Sequence, residues 1–425
     1  MPRRKLLWKI QGRDYRMKII KTLSLLVALW SGLGPAFAQT WTQTSAPTNE
    51  WVSVASSADG SKLAAAAGLA NSGDGLIYIS TNSGLDWTQT SAPANDWTAV
   101  ASSADGVKLI AASSGMSNLV FISTNSGLAW MATMAPPDDW QAVAASATGR
   151  TLLAAAFGDV VYYSTNCGAN WMPGNTPVAD WNSVACSANG MTAIAANDGQ
   201  VWISRDSGAT WAQTDLPSYD WSSVCSSADG NKLFAIAPTL PGFGGNGPIP
   251  GCVALSTDSG ADWTTNGSFS ADAIVSSADG SRLTAMNDEP TTNSGIYNST
   301  DLGMTWTEET NFSGPIACSA DGEELIVVTY AGFNSFGGGA PTLPLPGPIY
   351  ISFTTPVPFL NIARANSNLA LSWIVPSTNF VLEQSSDLQN WSDLTNQPCL
   401  NLTNLLDETT LPMTNSAGFY RLATQ

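Results

Sequence analysis

A segment of eight residues that occurs six times constrains the fold of this chain more than any other feature. It first occurs as STNSGLDW at residues 80–87, and every copy ends in Trp. The six copies occupy residues 80–87, 123–130, 164–171, 204–211, 256–263 and 299–306, so that successive copies are 40 to 52 residues apart. A period of this length indicates a series of stacked structural repeats. We call each copy a box.

A second segment keeps the same period and adds a seventh unit. It reads WVSVASSADG at residues 51–60 and recurs before each box, with weaker copies at residues 272–280 and 314–322. Each unit combines an alternating strand, a turn, a run of small residues, a further strand, the box and an outer strand. Four short strands per unit, without helix signals, predict an all-β chain that forms a seven-bladed β-propeller.

The two ends of the repeat complement each other. Residues 347–355, GPIYISFTT, begin like the third strand of a unit but lack the Gly and Trp of a box, while residues 39–47 repeat the outer-strand sequence WTQTSAP of residues 87–93. We therefore predict that the N-terminal strand closes a propeller spanning residues 39–355. Residues 356–425 contain unrelated strand patterns and predict a small C-terminal β-sandwich-like module, which resembles the fibronectin-III-like modules of exported bacterial proteins.

The first 38 residues are typical of an export signal. Lys18 and Lys21 precede an apolar run, Ala36-Phe37-Ala38 offers a small-residue cleavage site, and Met17 is an alternative start. We expect an exported protein, located outside the cell, on its surface or in the periplasm, without a transmembrane segment in the mature chain. Its six Cys lack metal-ligand spacing, which favours disulfides, with buried core thiols as the alternative.

The charge of the mature chain excludes several classes of function. Residues 39–425 contain eight Lys and Arg against 32 Asp and Glu, a net charge of −24, which repels nucleic acid. The chain has no His and therefore lacks the commonest metal ligand and the usual general base. We expect neither a bound metal nor a cofactor, and we expect a monomer.

The boxes resemble the Asp-box, or BNR, repeat S-x-D-x-G-x-T-W of sialidases, some polysaccharide hydrolases, sortilin-type receptors and photosystem assembly-factor propellers. The third positions are Asn82, Asn125, Asn166, Asp206, Asp258 and Asp301, and the final positions are Trp87, Trp130, Trp171, Trp211, Trp263 and Trp306. Because Asn and Asp alternate, the third side chain is predicted to accept hydrogen bonds within a turn and not to act as an acid. We interpret these residues as structural.

Binding residues are expected at the end of the ring opposite the boxes. Five tryptophans there each follow an acid: Trp51, Trp97, Trp140, Trp181 and Trp221. They either stack against sugars or wedge between blades, and the sequence leaves both interpretations open. Long Gly- and Pro-rich loops at residues 239–251, 287–295 and 332–348 reach the same end, and they add Phe243, Phe333 and Phe336 as candidate binding residues.

Three functions remain open at this stage. The favoured one is non-catalytic binding of a glycan or of an extracellular or cell-surface protein. The first alternative is glycoside hydrolysis by a carboxylate pair, with Asp288, Glu289 and Asp139 as candidates. The sialidase resemblance implies an arginine triad, which the five scattered Arg of the mature chain cannot form. The second alternative, implied by the assembly-factor resemblance, is a scaffold for an envelope complex.

Overall fold

The computed structural model describes most of the chain between Thr40 and Thr424. The described residues are 40–68, 74–115, 118–239, 250–267, 269–288, 294–312, 314–329, 333–334, 343–344, 346–353, 360–365, 368–374, 380–385, 390–394, 399–401, 405–412 and 419–424. All regular elements within these ranges are strands, and none of the described residues forms a helix that could span a membrane.

Seven four-stranded antiparallel sheets follow one another as blades. The strands of blades 1 to 3 are Trp51–Ser56, Leu63–Ala67, Ile77–Ser80 and Thr88–Gln89; Asp96–Ser102, Leu109–Ser114, Val120–Ser123 and Met131–Ala132; Trp140–Ala145, Leu152–Ala156, Val161–Ser164 and Met172–Pro173. Those of blades 4 to 6 are Trp181–Cys186, Ala193–Asn197, Val201–Ser204 and Ala212–Gln213; Ser223–Ser226, Leu233–Ala237, Cys252–Ser256 and Thr264–Asn266; Ala273–Ser276, Leu283–Asn287, Gly295–Ser299 and Thr307–Thr310.

Blade 7 combines strands from the two ends of the repeat. Its inner three strands are Ile316–Cys318, Glu324–Val328 and Ile349–Phe353, and its outermost strand is Thr40–Gln43. The outer pair is antiparallel, with Thr40 opposite Phe353 and Gln43 opposite Tyr350. The N-terminal strand thus occupies the position that the strand after the box occupies in the other blades.

A closed circle of backbone hydrogen bonds joins the blades around the axis. Each link connects the alanine of one SADG-type turn to that of the next turn: the N–H of Ala58 donates to the carbonyl of Ala104, and the N–H of Ala320 donates back to the carbonyl of Ala58, at 2.7 Å. The alanines are Ala58, Ala104, Ala147, Ala188, Ala228, Ala278 and Ala320. Seven links in one circle confirm the seven-bladed β-propeller.

The second strand of each blade explains the runs of small residues in the sequence. Leu63–Ala67 and Leu152–Ala156 are buried at every position because neighbouring blades cover both faces of the strand. Such a strand needs apolar residues without alternation, and small side chains let the blades approach closely near the axis. Large side chains also pack between blades, as Trp140 does beside Ile110 and Leu152.

The two ends of the ring differ in the turns they carry. The SADG turns, between the first and second strands, and the box turns, between the third and fourth, lie at one end, which we call the box face. The connections between the second and third strands, and between successive blades, lie at the other end, which we call the loop face.

Beyond the ring, the C-terminal residues form two further sheets. One contains Asn361–Ala365, Asn368–Ile374, Leu406–Pro412 and Cys399–Asn401, and the other contains Ser392–Asp393, Phe380–Ser385 and Phe419–Thr424. Leu371 and Trp373 of the first sheet share a buried cluster with Leu382 of the second. A short hairpin, Phe333–Asn334 with Leu343–Pro344, arises from the long connection within blade 7.

Candidate binding face

The box residues form a repeated hydrogen-bonded turn. In the first box, Asn82 Oδ1 accepts a bond from the Ser80 hydroxyl at 3.0 Å and another from the Asp86 N–H at 2.9 Å. The Gly84 N–H donates to Ser80 Oγ, and the Trp87 indole donates to the Gly84 carbonyl at 3.1 Å. The bonds to the third side chain recur in all six boxes, with Asp in place of Asn in three of them. An acceptor that is already engaged in this way holds the turn and offers no free acid.

Each box turn contains a second left-handed position, which the repeated segment did not indicate. The box glycines have positive φ, and so does the residue before each of them. Those residues are Ser83, Ser126, Cys167, Ser207, Ser259 and Leu302, with φ between 52° and 64°. Two successive left-handed residues let the chain reverse tightly enough for the indole to reach the glycine carbonyl.

The five tryptophans predicted as binding candidates are buried, which corrects the sugar-stacking interpretation. Trp51, Trp97, Trp140, Trp181 and Trp221 are at most 2% exposed. Their rings lie between blades, and the indoles of Trp97 and Trp181 donate to the carbonyls of Gly75 and Asp159. A ring with no solvent-exposed face cannot stack on a ligand, so the wedging alternative describes their position.

The remaining candidates are separated or fall outside the described residues. Asp288 lies on blade 6, where its N–H donates to Asp272 Oδ2 at 2.7 Å. Asp139 lies on blade 3, where it accepts a bond from Gln141, and blades 4 and 5 lie between the two. Glu289, Phe243 and Phe336 lie outside the described residues, and for Phe333 the structure describes only the backbone.

Charge is divided unequally between the two faces of the ring. The six cations of the propeller follow SADG-type turns or lie in a box, and therefore belong to the box face: Lys62, Lys108, Arg150, Arg205, Lys232 and Arg282. Acids lie at or beside the connections of the loop face: Glu50, Asp74, Asp96, Asp138, Asp139, Asp159, Asp180, Asp198, Asp215, Asp220, Asp272 and Asp288. Within the described part of the loop face, no Lys or Arg offsets these carboxyls.

Two pairs of carboxyls on the loop face lie side by side. Burial raises the pKa of Asp138, and the neighbouring Asp159 raises it further through hydrogen bonding and charge. The pKa of Asp220 is raised in the same way by burial and by Asp198, whose backbone faces it across an isolated bridge. Asp138 and Asp220 therefore hold a proton more tightly than an isolated Asp does.

Exposed apolar side chains lie beside these pairs. Phe157 is 55% exposed and Val178 is 69% exposed. They belong to adjacent connections, because the Gly158 N–H donates to the Ala179 carbonyl at 3.1 Å, and Asp159 follows Gly158 directly. Blades 3 and 4 therefore present an apolar patch, Phe157 and Val178, within a ring of carboxyls. Neither residue lies in a long loop or a repeated motif, so the sequence does not indicate this patch.

The described cysteines correct the expectation of disulfides. Cys167, Cys186, Cys225, Cys252 and Cys318 are all free thiols, and Cys225 and Cys252 are buried in the core, as the alternative interpretation had it. Within the same described residues, no three His, Cys, Asp or Glu side chains are grouped as metal ligands.

A buried acid lies on the box face where blade 7 meets blade 1. Glu324 is 1% exposed, and among the described residues neither of its carboxyl oxygens has a hydrogen-bond partner. Burial, followed by the charges of Asp321 and Asp59, raises its pKa to about 9. The equivalent residue of blade 1 is Lys62, whose ammonium donates to the Asp105 carbonyl of the next blade at 2.8 Å.

Comparison with known proteins identifies the fold and no family. No family model matches the chain, and no curated protein matches it. Among solved structures, it is similar to YCF48 bound to D1 peptide, at 13% identity and a TM-score of 0.51, over 76% of this chain and 99% of that one. It is also similar to an ancestral GH74 enzyme, at 13% identity and a TM-score of 0.51, over 80% of this chain and 54% of that enzyme. Both likenesses show a β-propeller fold.

Proposed function

We propose that this chain is an exported, non-catalytic propeller that binds a cationic segment of another protein through its loop face. Asp-box turns, a ring closed by the N-terminal strand and a C-terminal β-sandwich of fibronectin-III-like size would provide a rigid support for that face. The partner would be an extracellular or cell-surface protein, and the propeller would act as a monomer.

The observation that carries this proposal is the unequal distribution of charge. On the box face, cations lie beside the carboxyls, and Lys62, Lys108 and Lys232 are engaged with backbone carbonyls of neighbouring turns. The described loop face has carboxyls alone. A face of one sign attracts a partner of the opposite sign and accelerates its association, which favours Lys- and Arg-rich segments.

The apolar patch provides a source of affinity that does not depend on charge. Phe157 and Val178 are large exposed side chains, and apolar contact contributes affinity that salt does not screen. A peptide with an apolar residue between cations would place that residue on the patch and its charges on the flanking carboxyls, including Asp138 and Asp198.

The structural neighbours support binding more directly than catalysis. YCF48, which is similar to this chain over 99% of its own length, carries a bound peptide. In contrast, the chain spans only about half the length of the GH74 enzyme. The scaffold alternative is a special case of peptide binding and is kept within this proposal.

The carboxyl pairs suit a cation better than a glycoside. Each pair has one member with a raised pKa, Asp138 or Asp220, and the described catalytic candidates Asp139 and Asp288 lie on separate blades. We therefore expect binding without hydrolysis of glycosides. Protons held by Asp138 and Asp220 would be released when a cationic segment binds.

Binding of labelled peptides tests the proposal. Fluorescence anisotropy would compare 15-residue peptides in which Leu or Phe is flanked by Lys and Arg with peptides in which Glu replaces every cation. We expect only the cationic peptides to bind residues 39–425, with an affinity that falls as NaCl rises from about 50 to 500 mM. A panel of polysaccharides and fluorogenic glycosides would be assayed in parallel for retention and product release.

Matched variants locate the site. Asp138→Asn with Asp198→Asn removes one carboxyl from each pair of the loop face, and Asp206→Asn with Asp301→Asn removes two carboxyls from the box face, where other boxes already have Asn. We expect the first double variant to weaken peptide binding by about tenfold, equivalent to about 1.4 kcal/mol, and the second to leave it unchanged. Equal losses in both, or retention of glycans without peptide binding, would refute the proposal.

A further inference from the structure

A narrow cavity lies on the axis of the ring at the box face. Its volume is about 170 Å³, and the seven alanines of the hydrogen-bonded circle form one part of its wall. A second ring of small residues continues the wall: Ser56, Ser102, Ala145, Cys186, Ser226, Ser276 and Cys318. Because every wall position is small, the blades leave an axial space that none of their own side chains fills. We call the alanine part of the wall the alanine socket.

One side chain from the C-terminal region packs against this socket. Leu405 contacts the alanine cluster and lines the same cavity. It directly precedes the strand Leu406–Pro412; its N–H donates to the Asn401 carbonyl at 2.8 Å, and its φ is 56°. A leucine rarely adopts this left-handed conformation, and such strain persists only where surrounding contacts offset it.

Charge does not explain why the turn lies there. Asp407, two residues after Leu405, is half-buried, and its pKa is raised by burial and by the negative charge of Asp59 on the first SADG turn. Two carboxyls near each other repel. Among the described residues of the turn, Leu405 provides the apolar contact with the ring.

We propose that Leu405 is a plug that seats in the alanine socket, seals the axial channel at the box face and anchors the C-terminal sheets over it. Each alanine contributes a single methyl group, so the socket accepts one aliphatic side chain of leucine size on the axis. With the plug in place, the box-face mouth is closed to solutes, and the loop face is the face left open for a partner.

Two native cysteines of the cavity wall can be used to detect whether Leu405 is in place. Cys186 and Cys318 line the same cavity as Leu405. Burial raises the pKa of both thiols to about 12, with the charge of Asp321 adding to the effect at Cys318. Seated behind Leu405, these thiols are protonated and shielded, and removal of the plug admits water and reagent to both.

The experiment is alkylation of the full mature chain with N-ethylmaleimide, with the rate at each cysteine followed by peptide mass spectrometry. Leu405→Asp places a charge in the socket and is expected to speed alkylation of Cys186 and Cys318 by about tenfold or more. Leu405→Met, which retains an apolar plug, is expected to react at the wild-type rate. Leu85→Asp is the matched control, because Leu85 is a 69% exposed leucine of the first box.

The reactivity of Cys252 separates local opening from unfolding. This thiol is buried away from the axis, between blades 4 and 5, and we expect it to stay slow in every variant. If Leu405→Asp also exposes Cys252, that variant has unfolded, and the milder Leu405→Ala is tested in its place. In Leu405→Ala we expect Cys186 and Cys318 to be alkylated faster than Cys252. Rapid alkylation of Cys318 in the wild type, or wild-type rates in a folded Leu405→Asp variant, would overturn the plug.

Discussion

Glu324 is the position at which a single substitution should change stability most informatively. Four of the other blades have Lys or Arg at the equivalent position, and the lysines there donate to a backbone carbonyl of the next blade. In blade 7 the residue is a buried glutamate that abuts Gly60 of blade 1. Asp59 and Asp321 are the charges that face it, and both are negative. The junction where the ring closes is thus weaker in electrostatic terms than the others.

The pKa of Glu324 determines how much this residue lowers the free energy of unfolding. Unfolding returns the Glu324 pKa from about 9 to the ordinary 4.5. Because the folded-state value is the higher one, stability is greatest below pH 4.5 and falls by about 1.4 kcal/mol per pH unit until pH 9. At pH 7 the protonated carboxyl therefore lowers the free energy of unfolding by about 3 kcal/mol. Glu324→Gln keeps the shape of the protonated acid and removes this dependence.

Urea denaturation at pH 5, 6, 7 and 8 measures the effect. We expect the Gln variant to be more stable than the wild type by an amount that grows by about 1.4 kcal/mol for each pH unit. Asp262→Asn, at an exposed acid of a box, is the control and should show no such growth. A Gln variant whose advantage is the same at pH 5 and pH 8 would show that Glu324 is ionised in the folded protein and that the reasoning is wrong. Glu324→Lys should also stabilise at pH 7, because the ammonium would reach the carbonyl of Asp59.

Three further predictions concern the blades. Trp97→Phe should lower the free energy of unfolding by about 1 kcal/mol more than Trp140→Phe, because the Trp97 indole donates to the Gly75 carbonyl whereas the Trp140 indole has no hydrogen-bond partner among the described residues; equal losses in urea would contradict this. Asn125→Asp should change stability by less than about 0.5 kcal/mol, and Asn125→Ala should cost about 1 to 2 kcal/mol, since two hydrogen bonds end on Asn125 Oδ1. Dithiothreitol should leave the thermal midpoint unchanged, because the five described thiols are free, and a drop of several degrees would reveal a structural disulfide.

The fold could be predicted from the sequence because its parts repeat. Boxes and SADG turns at a regular period count the blades, and the run LAAAA of residues 63–67 marks a strand buried on both faces. The circle of alanine hydrogen bonds could not be predicted, since nothing in SADG distinguishes a turn that bonds to its own blade from one that bonds to the next. That choice depends on how closely the first strands converge on the axis.

The candidate site was harder to predict for a different reason. The acidic tryptophan motifs have the composition of a sugar site, yet a tryptophan at the start of an inner strand points between blades and is buried. In contrast, Asp138 and Asp159 are 21 residues apart in sequence and meet only because two connections cross the same end of the ring. The sequence contains one weak indication of the carboxyl pairs: the short connections of blades 3 and 4 each contain an Asp.

The two faces differ in how their charged residues are used. Turns on the box face join each blade to its neighbour through Lys62 and its equivalents and through the alanine circle, so cations there are used within the molecule. Leu405 adds the C-terminal sheets to the same face. On the described loop face, neutral side chains join the blades, as Thr98 does by donating to the Trp140 carbonyl. A structure selected only for stability would place some cations among the carboxyls there, because like charges held close together oppose folding. Carboxyls held close together are a cost that a positively charged partner would relieve, which is why the loop face is where a partner should be sought first.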